Sequence, residues 1–187
     1  YRTWQEHRSA MEGLVRDSRR LAAQYSPRNE LPSVSRLDHG TAELLASFGC
    51  ELISSADLVQ RFAAVWTPAP LDGHRRANVH LHRIVREAFS LVAGHLRAER
   101  EIDERAVQRF ILEAFEGAGL HAEADPIVGV NAHAADPHYE PTDETSLPIR
   151  EGDLLLIDLW AKEKTPESVY ADITWCGVCA ASPTPRQ

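Results

Sequence analysis

Two short runs in the last quarter of the chain restrict the fold more than any other feature, because each alternates like a strand and carries a central aspartate. The runs cover residues 154–160 and 169–175, and the short polar segment 162–168 joins them. Alternation puts every second side chain on the same face of a strand. So short a polar connection favours a hairpin. We therefore predict that Asp158 and Asp172 project from two neighbouring strands.

The hairpin would place these two carboxylates close together. If the loop is symmetric about Thr165, Asp158 and Asp172 lie directly opposite each other. Opposed like charges destabilise a strand pair, and two close carboxylates do not both ionise readily. A divalent cation removes the penalty, because hard cations prefer oxygen ligands. The alternative is structural: Asp158 ends its strand, Asp172 faces water, and each caps a backbone N–H.

The rest of the chain divides at residues 67–70, Thr-Pro-Ala-Pro, which we predict to be a proline-stiffened linker. Residues 1–66 alternate between helix and strand patterns and are predicted to be the carboxyl-terminal part of an α/β domain. Residues 71–187 open with amphipathic helices over 74–98 and 103–118. Strand patterns follow, so this second unit is predicted to be α+β with antiparallel strands.

Composition excludes several classes of function. The net charge is −8 and the arginines are scattered, which disfavours a nucleic-acid partner. No run approaches the roughly 18 consecutive apolar residues of a membrane span, and the first residues are no signal peptide. The three cysteines, Cys50, Cys176 and Cys179, suit a reducing compartment. We expect a cytoplasmic protein with neither a membrane nor a nucleic-acid partner.

Two patterns of metal-binding residue types are weaker. Cys176 and Cys179 have C-x-x-C spacing, but a thioredoxin-like site would open a helix and a structural zinc needs two more ligands nearby. His80 and His82 lie two residues apart on a predicted helix, so they point to different faces. Neither pattern predicts a site by itself.

Two stretches of sequence resemble the pita-bread metallopeptidase family, the group of Xaa-Pro aminopeptidase, prolidase and creatinase. VNAHAADPHYEP is similar to the family's loop with a catalytic histidine, here His138, and His133 shares that loop. GDLLLIDLWAK followed by VYADITW is similar to the strand pair that supplies the first two metal-binding aspartates, here Asp158 and Asp172. The His-Tyr pair favours the Xaa-Pro branch. Residues 34–66 resemble the end of that branch's smaller N-terminal domain.

The resemblance implies an α+β fold: the first half of a pita-bread domain preceded by the end of a smaller α/β domain. It also implies two divalent ions, manganese, cobalt or zinc, bound by two Asp, one His and two Glu. Asp158 would chelate one ion, Asp172 would bridge both, and His138 would stabilise charge at the substrate carbonyl. The implied reaction is cleavage of peptide bonds next to proline by a metal-activated water. A homodimer is the family habit.

The chain departs from the family pattern after Asp172. The family's ligand His and both Glu lie downstream, whereas this chain ends fifteen residues later without a His, Asp or Glu. The Ser-Pro and Thr-Pro pairs of residues 182–187 are typical of a helix start. We therefore expect a partial chain that is inactive alone. Two alternatives stay open: a creatinase-like C–N hydrolase that needs no metal, and a non-catalytic pita-bread binding module.

Overall fold

Helices and strands alternate through Tyr1–Trp66, the first of two units into which the backbone separates. The computed structural model describes residues 1–184. In this unit the strands β1 (Arg20–Ala23) and β2 (Glu51–Ser54) pair in parallel over their full length. The elements in chain order are α1 (Trp4–Val15), β1 (Arg20–Ala23), 3-10 turns at Pro27–Asn29 and Pro32–Val34, α2 (His39–Ser47), β2 (Glu51–Ser54) and α3 (Ala56–Ala63).

Side chains close the helix ends of this unit. Thr3 and Glu6 form a capping box at the start of α1, and Asp38 accepts the Thr41 amide at the start of α2. Both satisfy amides that have no partner within the helix. Gly49, at a φ of 84°, follows the end of α2 in the left-handed conformation that glycine adopts without strain. A small core packs between these elements: Val15, Leu45 and Cys50, with Met11, Leu21, Phe48 and Leu52 against it.

The second unit, Thr67–Gln187, is a pair of helices backing an antiparallel sheet. The central strand β5 (Leu154–Glu163) pairs antiparallel with β3 (Leu120–His121), β4 (Ile127–Val130) and β6 (Ala171–Val178). The elements in chain order are α4 (Pro68–Arg97), α5 (Glu104–Gly117), β3 (Leu120–His121), β4 (Ile127–Val130), a 3-10 turn (His133–Ala135), β5 (Leu154–Glu163) and β6 (Ala171–Val178).

The two faces of β5 have different surroundings. Along the strand, burial alternates strictly from Leu154 to Lys162, as expected when one face packs and the other does not. The buried face meets the apolar stripe of α4 and the inner side of α5. The main core comprises Ala77, Leu81, Ile84, Val85, Ala88, Val92, Val107, Ile111, Phe115, Leu155, Ile157, Leu159 and Ala161, among others. The opposite face of the sheet, which we call the open face, carries Asp158.

One predicted boundary requires correction. The predicted linker 67–70 is wrong: Thr67 is the N-cap of α4 and the two prolines lie in its first turn, where a missing N–H costs no helical hydrogen bond. The helix start predicted at residues 182–187 falls partly outside the described residues. The α+β class and the antiparallel strands are confirmed. In the described part of the chain, no helix is long and apolar enough to cross a membrane.

A candidate metal centre on the open face of the sheet

Asp158 lies in the middle of β5, on the open face. Thr174 of β6 stands directly across from it and donates its hydroxyl to Asp158 Oδ1 over 2.6 Å. On the other side, Ile127 of β4 is its partner in the register. Three strands therefore fix the backbone around this carboxylate, and one of its oxygens already accepts a hydrogen bond.

Asp172 projects from β6 onto the same face. It stands across from Trp160, so Asp172 and Asp158 are diagonal neighbours rather than direct partners. Such residues have Cα atoms roughly 7–8 Å apart. Asp172 is exposed, but partial desolvation raises the pKa of its carboxyl, and the negative charge of Asp158 raises that pKa further. We call Asp158 and Asp172 the aspartate pair.

The predicted direct opposition of the aspartate pair is wrong, and the loop between the strands gives the reason. The Ser168 hydroxyl donates to the carbonyl oxygens of Glu163 and Thr165, and the Thr165 amide donates to Glu163. This turn closes the loop asymmetrically about Thr165. The register moves accordingly, and Thr174 takes the place across from Asp158.

The aspartate pair fits a divalent cation in chemistry but supplies only part of a site. Its two carboxylates are hard oxygen donors on one face, and their mutual repulsion is what a cation would relieve. Within residues 1–184, however, no group of three or more His, Cys, Asp or Glu side chains is arranged to hold a metal ion. The described chain thus contributes two carboxylate ligands at most to such a centre.

A tight backbone approach places the 3-10 turn on the open face. Gly129 of β4 stands across from Leu156, two residues from Asp158 and on its face. A Cβ at Gly129 would lie 2.9 Å from the His133 carbonyl carbon and 3.0 Å from the Ala134 nitrogen. The turn His133–Ala135 therefore packs directly on the strand, and only a glycine leaves room for it.

His138, the predicted catalytic histidine, lies beyond that turn on an exposed stretch of the same loop. Its amide donates to Asp136 Oδ1 over 2.9 Å, and the next amide, that of Tyr139, donates to the Asp136 carbonyl over 3.2 Å. The structure shows no hydrogen bond between His138 and either member of the aspartate pair. The structure therefore brings the two aspartates together and leaves His138 on the adjoining loop.

Glu104 is a fully buried carboxylate that sequence reasoning missed. It lies at the first position of α5 and is 0% exposed. Its Oε1 accepts the Val130 amide at 2.7 Å and lies 3.0 Å from His133 Nδ1. Its Oε2 accepts the Tyr139 hydroxyl at 2.6 Å and the Leu147 amide at 2.8 Å. Four donors compensate the desolvation of this acid.

No signal in the sequence marks Glu104 as special. An acid in the first turn of a helix is explained by the helix dipole alone, and Asp103 before it is the N-cap. The pairing of residues far apart in the chain, 104 with 130 to 147, appears only in the folded structure.

The cysteines of the C-x-x-C pattern and His82 of the predicted helix have the surroundings of packed side chains. Cys176 and Cys179 are free thiols, and burial together with the charge of Asp153 raises the pKa of Cys179, which opposes formation of a reactive thiolate. The His82 ring packs against Trp175 with centroids 5.9 Å apart. These contacts agree with a packing role.

A helix-backed antiparallel sheet with two carboxylates on its open face defines the chain as the first half of a pita-bread domain, as predicted. The family model of metallopeptidase family M24 matches residues 74–187. The chain belongs to this family. None of the curated proteins compared with the chain matches it significantly.

Solved structures give the same fold at low sequence identity. X-prolyl aminopeptidase from Caenorhabditis elegans, described as cytosolic with a di-nuclear active site, superposes with a TM-score of 0.68 at 16% identity over 98% of this chain and 29% of its own. Prolidase from Pyrococcus furiosus superposes with a TM-score of 0.57 at 19% identity, over 95% of this chain and 49% of its own. X-Pro aminopeptidase from Thermotoga maritima superposes with a TM-score of 0.53 at 20% identity, over 96% of this chain and 46% of its own. The chain spans between 29% and 49% of the length of these structures.

Proposed function

We propose that this chain forms part of the catalytic domain of a metal-dependent peptidase that cleaves peptide bonds next to proline. The observation that carries the proposal is the aspartate pair: two carboxylates on the open face of a sheet whose fold belongs to a metallopeptidase family. The similar structures named above are proline-directed peptidases, which supports the Xaa-Pro type. The substrate is then a proline-containing peptide.

In this proposal the aspartate pair binds divalent cations, two in the complete centre, with manganese, cobalt or zinc as candidates. A bound ion would polarise the scissile carbonyl and activate a water for attack. The chain's own contribution is placement: β4 and β6 fix the backbone of Asp158 from both sides, and Thr174 orients its carboxylate. His138, on the exposed loop, contacts the substrate carbonyl and stabilises the charge that develops there.

We further propose that the 187-residue polypeptide is inactive by itself. Two carboxylates leave most coordination positions of a hydrolytic metal to other groups, and the described residues offer no third ligand beside them. A cytoplasmic location and a homodimer are further parts of this proposal, based on composition and on the family.

The test is peptide hydrolysis by the complete product of the gene that encodes this sequence. An Xaa-Pro dipeptide and an Xaa-Pro-containing tripeptide are assayed with manganese, cobalt or zinc after chelation. We expect metal-dependent turnover that Asp158→Asn and Asp172→Asn each reduce by more than the roughly 10- to 100-fold that loss of a ligand's hydrogen-bond partner costs, since each removes a charged ligand.

Two outcomes contradict the proposal and separate its alternatives. Metal-independent cleavage of a small amidino compound such as creatine would indicate creatinase-type C–N hydrolysis. A folded product that cleaves neither class of substrate would indicate a binding module.

A further inference from the structure

The loop between β4 and β5 is organised around a single side chain. Donors from residues 130, 133, 139 and 147 converge on Glu104, while the chain between them forms only short turns. An ionised carboxylate only accepts hydrogen bonds, so its contact with His133 requires the proton to be on Nδ1. A buried acid from a helix therefore determines the course of the loop that carries His138.

We propose that Glu104 is a positioning residue for His138, acting through Tyr139, in the peptidase reaction on which this inference rests. Tyr139 follows His138 directly and is 9% exposed. Its hydroxyl donates to Glu104, and its ring stacks on His133 with centroids 4.0 Å apart. The side chain next to His138 is thus fixed at both its ring and its hydroxyl.

The backbone at His138 is restricted from the other direction as well. Asp136 accepts the His138 amide on its side chain and the Tyr139 amide on its carbonyl. With this turn before it and the buried Tyr139 after it, the backbone at His138 has little freedom to change its conformation. Tyr139 is buried whereas His138 is exposed, and exposure is what a substrate-contacting group needs.

The charge of Glu104, and not only its shape, is required. A glutamine would keep the volume but offer a single acceptor oxygen, and its amide group would point N–H bonds at N–H or O–H donors. Glu104→Gln therefore disrupts several contacts together. Tyr139→Phe is the milder change: it removes the contacts of the hydroxyl with Glu104 and with the Thr145 carbonyl and leaves the ring stack and the amide contacts in place.

Gln108 supplies a matched control on the same helix. It is 1% exposed, and its Nε2 donates to the Pro126 carbonyl over 2.8 Å, upstream of β4 and outside the His138 loop. Gln108→Met keeps most of the volume and removes two hydrogen bonds, the one to Pro126 and the one that Gln108 Oε1 accepts from Arg105, so it lowers stability without removing a donor to Glu104.

The first measurement needs no peptidase activity. With ¹³C-labelled histidine in the 187-residue chain, nuclear relaxation of the His138 Cε1–H group reports the order of its ring. We expect Tyr139→Phe and Glu104→Gln to lower this order, and Gln108→Met to leave it unchanged at a comparable loss of unfolding midpoint. If Glu104→Gln fails to fold, Tyr139→Phe alone is compared with Gln108→Met. Unchanged order in Tyr139→Phe, or an equal loss in Gln108→Met, would overturn the inference.

The second measurement uses the complete gene product. A misplaced contact of about 1 Å costs roughly 10²-fold in rate, so Tyr139→Phe is expected to lower kcat by about 10-fold to 10²-fold with KM and manganese affinity little changed. Gln108→Met leaves kcat unaltered. A wild type without turnover refutes the proposed function, and the relaxation measurement then still decides the coupling of Glu104 to His138.

Discussion

Thr174 stands directly across the hairpin from Asp158 and donates its hydroxyl to that carboxylate over 2.6 Å. Asp172 consequently lies two residues along β6 from that position, diagonal to Asp158 and across from Trp160. Its carboxyl pKa is raised by partial desolvation and by the charge of Asp158, which means that the ionised form is less stable in the folded chain than in water.

Removing one charge of the aspartate pair is therefore expected to stabilise the metal-free chain. Asp172→Asn keeps the size of the side chain and removes the repulsion, so its urea midpoint at pH 7 with a chelator present should lie above that of the wild type. Thr174→Val is the matched change on the same strand; it removes the hydrogen bond to Asp158 and should lower the midpoint. A lower midpoint for Asp172→Asn would contradict this account of the pair.

Replacement by alanine is expected to have opposite effects on stability at Gly129 and at Gly94. At Gly129 a Cβ would meet the backbone of His133 at 2.9 Å, so Gly129→Ala displaces the 3-10 turn and is expected to cost about 1–3 kcal/mol. Gly94 lies within α4 and a Cβ there meets nothing within 4 Å. Gly94→Ala is expected to stabilise by ~0.5–1 kcal/mol. Chemical denaturation of both variants measures the contrast; equal effects would refute it.

The difference in stability between the wild type and Tyr139→Phe is expected to depend on pH in the alkaline range. Burial and the hydrogen bond to Glu104 raise the pKa of Tyr139 to about 12, from an ordinary 10.0. A raised pKa in the folded state stabilises the protein fully below pH 10 and loses that contribution as pH rises toward 12. Tyr139→Phe should cost about 1.5–3 kcal/mol at pH 8.

The free energy of unfolding of the two proteins should converge between pH 10 and pH 12. Tyr25→Phe removes a weaker contact of the other unit, a 3.4 Å bond to the Leu52 carbonyl, and serves as the control. A difference between wild type and Tyr139→Phe that stays constant with pH would show that Glu104 does not favour the neutral phenol.

The ion pair between Arg76 and Glu163 is expected to make the stability of the protein depend on pH in the acid range. The guanidinium donates to both carboxylate oxygens, over 2.7 and 2.8 Å, and joins α4 to β5. This hydrogen bonding lowers the pKa of Glu163 below its ordinary 4.5, so the stabilisation is present above that pH and is lost as pH falls through the lowered value. The urea midpoint of Glu163→Gln should lie below that of the wild type at pH 7, and the two should converge as pH falls below 4.5 through the lowered pKa of Glu163.

Glu87→Gln is the matched variant, because it breaks an ion pair with Arg83 inside α4 alone. An i,i+4 pair on an exposed helix face contributes little, so its effect at pH 7 should be the smaller one. A larger effect at Glu87 would contradict the importance of the contact between α4 and β5.

The faces of the hairpin strands could be predicted from the sequence, because strand alternation is local and has a period of two. The register could not, since it depends on which hydroxyl and amide groups satisfy the carbonyls of the loop. In the folded chain Ser168 donates to the carbonyls of Glu163 and Thr165, and the register makes the aspartates diagonal rather than opposed.

The long helix α4 shows the same limit at its start. Its apolar stripe from Leu81 to Val92 was readable as helical periodicity. The prolines before it looked like a linker, because proline both begins helices and stiffens connections, and sequence alone does not separate the two. Glu104 lay beyond prediction for a different reason: its partners come from residues up to 43 positions away, brought together only by packing.

The convergence of four donors on Glu104 also governs how this part of the molecule opens. Withdrawing any one donor leaves a charged group in an apolar interior with too few partners, so partial fraying of the segment is unfavourable from either end. Although they lie far apart in the chain, the amide protons of Val130 and Leu147 will therefore exchange with solvent in a single cooperative event, as one folding unit that includes the start of α5.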